Sequence, residues 1–243
     1  MLCENLSPSV YICENFTILD SRMELFITRY IQLKNHQVII NGIVEYLSEE
    51  QSVSKLLRSV YRRSNIDYPK FFKMDNLSKL GFLSAEILLQ GTDILQKYPG
   101  EELGIILGNA SSSLKSDEEH QEFIRDRKKY FPSPSVFVYT LPNIMAAEIA
   151  IRHKIKGENT VFIFERFDHG FIYNYISELF RNQRVNCCIS GWIDCYGDRY
   201  ESFLFIAERE DMINRYKELQ ECIIFDPLNI EKLFKGESIS WKI

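Results

Sequence analysis

From Thr140 to Ala207 the sequence alternates short apolar runs with stretches of helical periodicity, and this alternation constrains the chain more than any other feature. Pro142-Asn143 precedes a helix expected over about residues 144–153, with Ile144, Ala147 and Ile151 on one face and Gly157 as its stop. Residues 160–164 (TVFIF) read as a strand and 165–170 as a polar elbow. Residues 171–180 read as an amphipathic helix carrying Ile172, Tyr175, Ile176 and Leu179. Residues 187–193 and 202–207 read as two more strands, followed by a helix over 211–219. Strands separated by helices of this length predict an α/β domain whose mixed, mostly parallel sheet is covered by helices on both faces.

The N-terminal half carries weaker signals. Residues 9–19 read as a first strand, broken at Glu14-Asn15. Within 22–45, Val38-Ile39-Ile40 before Asn41-Gly42 reads as a strand ending at a tight turn. Val53, Leu56, Leu57 and Val60 have helical spacing, and Asp75 is the expected N-cap of a helix running to about Leu95. Residues 103–107 (LGIIL) read as a buried strand. A small-residue turn over 108–113, a charged helix over 117–129 and a rigid link over 131–134 follow. Nothing in the sequence reads as a linker or a repeat, so residues 1–243 are taken as one domain.

Composition excludes several classes. The net charge of −5 argues against a nucleic-acid partner, because phosphate-backbone binding needs clustered Lys and Arg. The basic run 125–129 follows Asp117, Glu118, Glu119 and Glu122, so it reads as a solvated helix face. The longest apolar stretch, 136–151, is interrupted by Thr140, Pro142, Asn143 and Glu148 and falls short of the ~18 uninterrupted apolar residues a membrane span needs. The start, MLCENLSPS, has neither a basic nor an apolar leader region, which predicts a cytoplasmic protein. Cysteines stand at 3, 13, 187, 188, 195 and 222, with no Cys-x-x-Cys. Cys187 and Cys188 are neighbours in an expected strand, so they point to opposite faces and do not ligate one metal together. The expectation is reduced thiols in a core, with no metal and no cofactor.

At this point the residues resemble a family. The block SPSVFVYTLPNIMAAEIAIRHKIKGENT, followed by a strand, an elbow, a helix and the strand CCISGWID, resembles the N-terminal half of a β-ketoacyl-acyl-carrier-protein synthase, an enzyme of the thiolase fold. Lys73-Met74-Asp75 and the strand-turn LGIILGNASSS are similar too, so the resemblance covers roughly residues 70–205 and leaves 206–243 as a C-terminal extension. It is nearest to the short ketosynthase-like N-terminal domain proteins of bacterial pathways related to aryl-polyene and flexirubin-type pigments.

The resemblance implies a nucleophilic Cys on the elbow, activated by a helix N-terminus, and two polar residues, His-His or His-Asn, from a C-terminal half. Counting from Gly157 or back from Gly191 puts Arg166 at the nucleophile position, and counting back from Gly170 puts Phe167 there. Neither forms a thioester. The histidines are His36, His120, His153 and His169, and none follows residue 169. The family's Gly-Gly-x-Glu becomes Gly191-Trp192-Ile193-Asp194. The expectation is a non-catalytic subunit, like a chain length factor, that pairs with a full-length ketosynthase or itself and contacts an acyl carrier protein. A lone half of the fold is expected to leave one apolar face open.

Alternatives stand beside it. Asp168 and His169 could support acyl transfer or hydrolysis, although adjacent residues at a helix start diverge by about 100°, and an N-cap is the simpler role for Asp168. Glu165-Arg166 reads as an ion pair, solvated or across an interface. Phe164, Phe167 and Phe171 read as core or as a residual acyl pocket. The turn at 111–113 reads as a plain strand-to-helix turn or a phosphate cradle. Lys73 and Arg62-Arg63 are candidate contacts for an acidic carrier protein.

Overall fold

Two hairpins open the described part of the chain. β1 (Leu25–Lys34) turns at Asn35-His36 into β2 (Gln37–Ile40), and Asn41-Gly42 turns β2 into β3 (Ile43–Leu47). All four turn residues have positive φ, the two-residue hairpin geometry whose twist suits the flanking strands. The turn expected at Asn41-Gly42 is therefore present. The computed structural model describes residues 24–126, 128, 130–215 and 222–239. The strand expected over 9–19, Cys3, Cys13 and the far end of the helix expected to reach Leu219 lie outside the described residues.

α1 (Val53–Arg63) turns Val53, Leu56, Leu57 and Val60 inward, as their spacing predicts. α2 (Asn76–Leu89) begins at Asp75, whose carboxylate accepts from the Ser78 amide at 2.9 Å. It stops short of Leu95: Gly91 takes a positive φ, and α3 (Ile94–Lys97) forms separately. β4 (Leu103–Asn109) is buried throughout and leads through the small-residue turn to α4 (Leu114–Ile124). The link expected at 131–134 ends inside a short helix, α5 (Pro134–Val138), capped by Ser133. α6 (Ile144–His153) is stopped by Lys154 in the left-handed conformation, φ 56°, rather than by Gly157. Then come β5 (Asn159–Ile163), α7 (His169–Arg181), β6 (Cys187–Tyr196), β7 (Arg199–Arg209) and α8 (Glu210–Arg215). The described chain closes with β8 (Ile223–Ile224) and α9 (Pro227–Lys235), the latter capped by Asp226, which accepts from the Asn229 amide at 2.8 Å.

The strands form one sheet in the order β3-β2-β1-β7-β6-β4-β5, with β8 beside β1. The sheet is mixed and carries helices on both faces, as expected. Parallel pairing, expected to dominate, is confined to β5-β4-β6. Only there do helical crossovers join neighbouring strands, whereas β1-β2, β2-β3 and β6-β7 are hairpins and so antiparallel. α1, α2 and α6 pack Leu57, Leu80 and Ile149 on one face with Ile105, Ile189 and Leu204. α7 and α9 pack Ile172, Ile176, Ile230 and Leu233 on the other with Ile106, Phe203 and Phe205. Cys187 joins the first cluster and Cys188 the second, as strand alternation requires.

The open apolar face expected of a lone half is thus occupied on both sides of the sheet. α9 is fixed in place by Gln32 and Lys34 of β1, whose side chains donate to the Phe234 carbonyl at 2.9 and 2.8 Å. Exposed apolar side chains instead recur through residues 130–171, at Phe131, Phe137, Leu141, Ile151, Ile163 and Phe171. β5 ends the sheet, and among the described residues only β4 pairs with it. No helix among the described residues is long and apolar enough to cross a membrane.

Candidate functional site

The elbow joins the edge strand β5 to α7. The Phe164 amide donates to the Asn109 carbonyl at 2.8 Å, which ties the start of the elbow to the end of β4. Beyond that point the chain separates polar from apolar side chains: Glu165, Arg166 and Asp168 are exposed and Phe167 is buried. Of the two positions that counting left open, Phe167 therefore faces inward and Arg166 faces solvent. The Phe167 ring lies 4.9 Å from Phe234 of α9, 5.8 Å from Trp192 of β6 and 6.0 Å from Phe203 of β7.

Backbone geometry makes room for this aromatic group. Gly191 has φ +144°, and a Cβ there would sit 2.0 Å from the Phe203 carbonyl oxygen, so only glycine fits between β6 and β7. The next residue, Trp192, sends its indole over Gly108 of β4, where an added Cβ would lie 3.0 Å from the ring. Gly108 thus accommodates the bulk at the second position of Gly191-Trp192-Ile193-Asp194.

The outward elbow residues are committed to local structure. The Asp168 carboxylate accepts from the Phe171 amide at 2.8 Å and caps α7. His169 Nε2 lies 3.6 Å from Glu231 Oε2 on α9, and no hydrogen bond joins Asp168 to His169 among the described residues. Phe164 and Phe171 pack at 5.2 Å in a ring cluster that includes Phe162 and Tyr175. No residue between Ile163 and Gly170 is Cys or Ser. Cys188, on the elbow's side of the sheet, is fully buried, and burial pushes its thiol up.

The turn at 111–113 is occupied by the chain's own carboxylate. Asp194 Oδ1 accepts from the amides of Ala110 at 3.1 Å and Ser111 at 2.7 Å, and Oδ2 accepts from the Ser111 hydroxyl at 3.0 Å. The amides of Ala110 and Ser111 are thus already satisfied, which favours a plain strand-to-helix turn over a cradle built on those two amides. Asp194 was legible only as a departure from Gly-Gly-x-Glu, because its partner turn lies 83 residues away in sequence. Lys73, Arg62 and Arg63 are exposed, and the Arg63 guanidinium stacks 4.8 Å from the Tyr46 ring centroid. Among the described residues no group of three or more His, Cys, Asp or Glu could hold a metal ion.

No protein-family model matches the chain, and no curated protein does. Solved structures do match, and they define the class: this is a ketosynthase-like thiolase fold. The ishigamide ketosynthase/chain length factor superposes with a TM-score of 0.58 at 16% identity, over 82% of this chain and 64% of that one. A type II PKS ketosynthase in complex with its acyl-carrier protein, AntDE:AntF, gives 0.56 at 13% identity, over 80% and 65%. The ketosynthase ApeO with its chain length factor ApeC, from Xenorhabdus doucetiae, gives 0.50 at 9% identity, over 77% and 79%. This chain spans a little under two thirds of the first two proteins, and at these identities the likeness is one of fold.

Proposed function

We propose that this chain is a non-catalytic ketosynthase-like subunit in fatty-acid or polyketide-type biosynthesis, of the aryl-polyene or flexirubin-like kind. It pairs with a full-length ketosynthase or with a second copy, as a chain length factor does. One observation carries the reading: Phe167, a side chain that cannot form a thioester, occupies the inward position of the elbow and is packed on Trp192, Phe203 and Phe234. The solved structures of like fold include ketosynthase/chain length factor pairs and a ketosynthase with its acyl-carrier protein, which supports both a ketosynthase partner and a carrier protein as a contact. The edge of β5 beside the elbow, unpaired among the described residues, and the exposed Ile163 and Phe171 next to it supply a surface for such a partner. A cytoplasmic location belongs to the same proposal.

Acyl transfer or hydrolysis through Asp168 and His169 is the alternative. It has less support, because Asp168 is engaged as a helix cap and has no hydrogen bond to His169. Light scattering on the purified chain, alone and mixed with a full-length ketosynthase from the same organism, tests the pairing; a lone monomer that captures no ketosynthase contradicts it. Incubation with acyl-carrier-protein thioesters followed by mass spectrometry tests the chemistry. An acyl group on the chain, or turnover abolished by His169→Ala, would overturn the non-catalytic assignment.

A further inference from the structure

A cavity of about 210 Å³ lies between the start of α2, the turn from β4 into α4 and the β6–β7 hairpin, and none of its walls belongs to the elbow. Among its lining residues, Lys79 is the anomaly. It sits on a helix buried nearly all round and is itself only 6% exposed. Lysine is rarely buried this far unless it is paired. The fold's other deeply buried lysine, Lys97, follows that rule with Glu208 at 2.6 Å. Lys79 has no carboxylate within ion-pairing distance among the described residues. Asp75 and Glu119 act on it only from further off, and Arg58 adds like charge. Its ammonium stands 5.9 Å from the Phe71 ring centroid. Burial is the largest influence on this group and holds it below the usual lysine range, and Asp75 and Glu119 offset that only in part.

The rest of the wall carries charge of both signs, with Lys115 and the exposed Glu119 among the lining residues and Asp75 deeper in. α2 and α4 both begin at the cavity, and helix N-termini present amide groups and a positive dipole end. The one carboxylate deep in the wall, Asp75, is already committed: Oδ1 accepts from the Ser78 amide and Oδ2 from the Ser116 hydroxyl, each at 2.9 Å. The Ser113 hydroxyl is taken by the Thr140 carbonyl at 2.6 Å, whereas the Ser112 hydroxyl makes no hydrogen bond among the described residues. Lys115, half exposed at the rim, holds only Glu118 at 3.1 Å.

We propose that this cavity binds a compact oxyanion of the phosphate class, with Lys79 as its buried counter-charge, Ser112 as a donor and Lys115 at its mouth. A cation is excluded by Lys79 itself, and an apolar ligand would leave that charge uncompensated.

Calorimetric titration of the full chain with inorganic phosphate, at constant ionic strength set by chloride, tests the proposal. Saturable binding is expected, with a thermal midpoint that rises with phosphate concentration. Lys79→Met should weaken binding about tenfold or more, while its midpoint without phosphate is no lower than that of the parent, because an unpaired buried charge has been replaced by an apolar chain of similar length. A second measurement needs no variant: phosphate should slow reductive methylation of Lys79, followed by mass spectrometry, and leave that of exposed Lys73 unchanged. Absence of saturable phosphate binding, parental affinity in Lys79→Met, equal methylation of Lys79 with and without phosphate, or acetate binding more tightly than phosphate would each overturn the assignment.

Discussion

The Phe167 ring and the Trp192 indole meet with centroids 5.8 Å apart and planes tilted by 49°, one from the elbow and one from β6. Phe167 is, with Arg166, one of the two elbow residues that counting puts where the resemblance calls for a small nucleophile, and Trp192 stands where it calls for a second glycine. Their contact makes each substitution fit the other: bulk on the strand is met by bulk on the elbow, with Gly108 beneath the indole and Phe234 of α9 closing the far side. A side chain on the last described helix thus completes packing that begins at the elbow, which links α9 to the site rather than to the sheet alone.

That contact predicts an asymmetry between neighbouring elbow residues. Phe167→Ala removes a buried ring packed on three others and should cost ~3–5 kcal/mol of stability. Arg166→Ala removes an exposed side chain and should change stability by less than ~0.5 kcal/mol. Urea unfolding of the two variants measures both values. Comparable losses would mean that Phe167 is not the inward residue.

Gly191 and Gly197 both have positive φ, at 144° and 63°, but they differ in surroundings. A Cβ at Gly191 would meet the Phe203 carbonyl at 2.0 Å, whereas nothing lies within 4 Å of one at Gly197. Gly197→Ala should therefore cost only the backbone penalty of ~1 kcal/mol, and Gly191→Ala ~4 kcal/mol or more, because two paired strands must separate. Thermal unfolding of the soluble variants ranks them, and expression yield serves if Gly191→Ala does not fold.

Much of this architecture could be read from local pattern. From β4 to β7 the strands and helices alternate with short connections, and capping residues such as Asp75 and Asp168 precede helices with the expected apolar spacing. Asp226-Pro227 carries the same kind of signal for α9, a capping residue followed by proline at the first helical position. Other features had no local signature. Asn35-His36 forms a hairpin turn without glycine, and Lys154 ends α6 in a conformation usual for glycine. Asp194 acts on a turn distant in sequence, and which of Arg166 and Phe167 faces inward depends on Phe203 and Phe234 being brought beside the elbow. Lys79 is visible as a lone charge within the apolar stretch LSKLGFLS, but only the fold shows that it makes no ion pair with a carboxylate among the described residues.

The strand cysteines should give the fold an alkaline limit. Burial, the largest influence on each, raises the thiols of Cys187, Cys188 and Cys195 above the ordinary value of 9.0, that of Cys195 to about 12. The folded chain then holds these protons more tightly than the unfolded chain. The stability they contribute is complete below pH 9 and is lost as pH rises towards the folded values, at up to ~1.4 kcal/mol per pH unit for each thiol. Urea midpoints measured between pH 8 and 11 should fall, and Cys195→Ala should flatten the fall. Peptide mapping after thiol labelling at pH 8 should find all three unmodified in the folded protein. Labelling of Cys195 there would contradict its burial.

Glu208 is 3% exposed and accepts from Lys97 Nζ at 2.6 Å, the Tyr98 hydroxyl at 2.8 Å and the Thr28 hydroxyl at 2.5 Å. Such a pair stabilises little relative to a well-packed apolar replacement, but breaking it leaves a buried charge without its partner. Lys97→Met alone and Glu208→Gln alone should each cost ~3–5 kcal/mol, and in Glu208→Gln the stranded group is the ammonium. The double variant Lys97→Met/Glu208→Gln should be less destabilised than the sum of the two, by ~1–3 kcal/mol, because the second change removes the charge that the first left exposed to the core. A double-mutant cycle by urea unfolding measures the difference. Strict additivity would mean that water reaches Glu208 and that the pair is not insulated, whereas strong coupling would identify this cluster as the link between α3 and the β1–β7 pair, which no local sequence pattern marks.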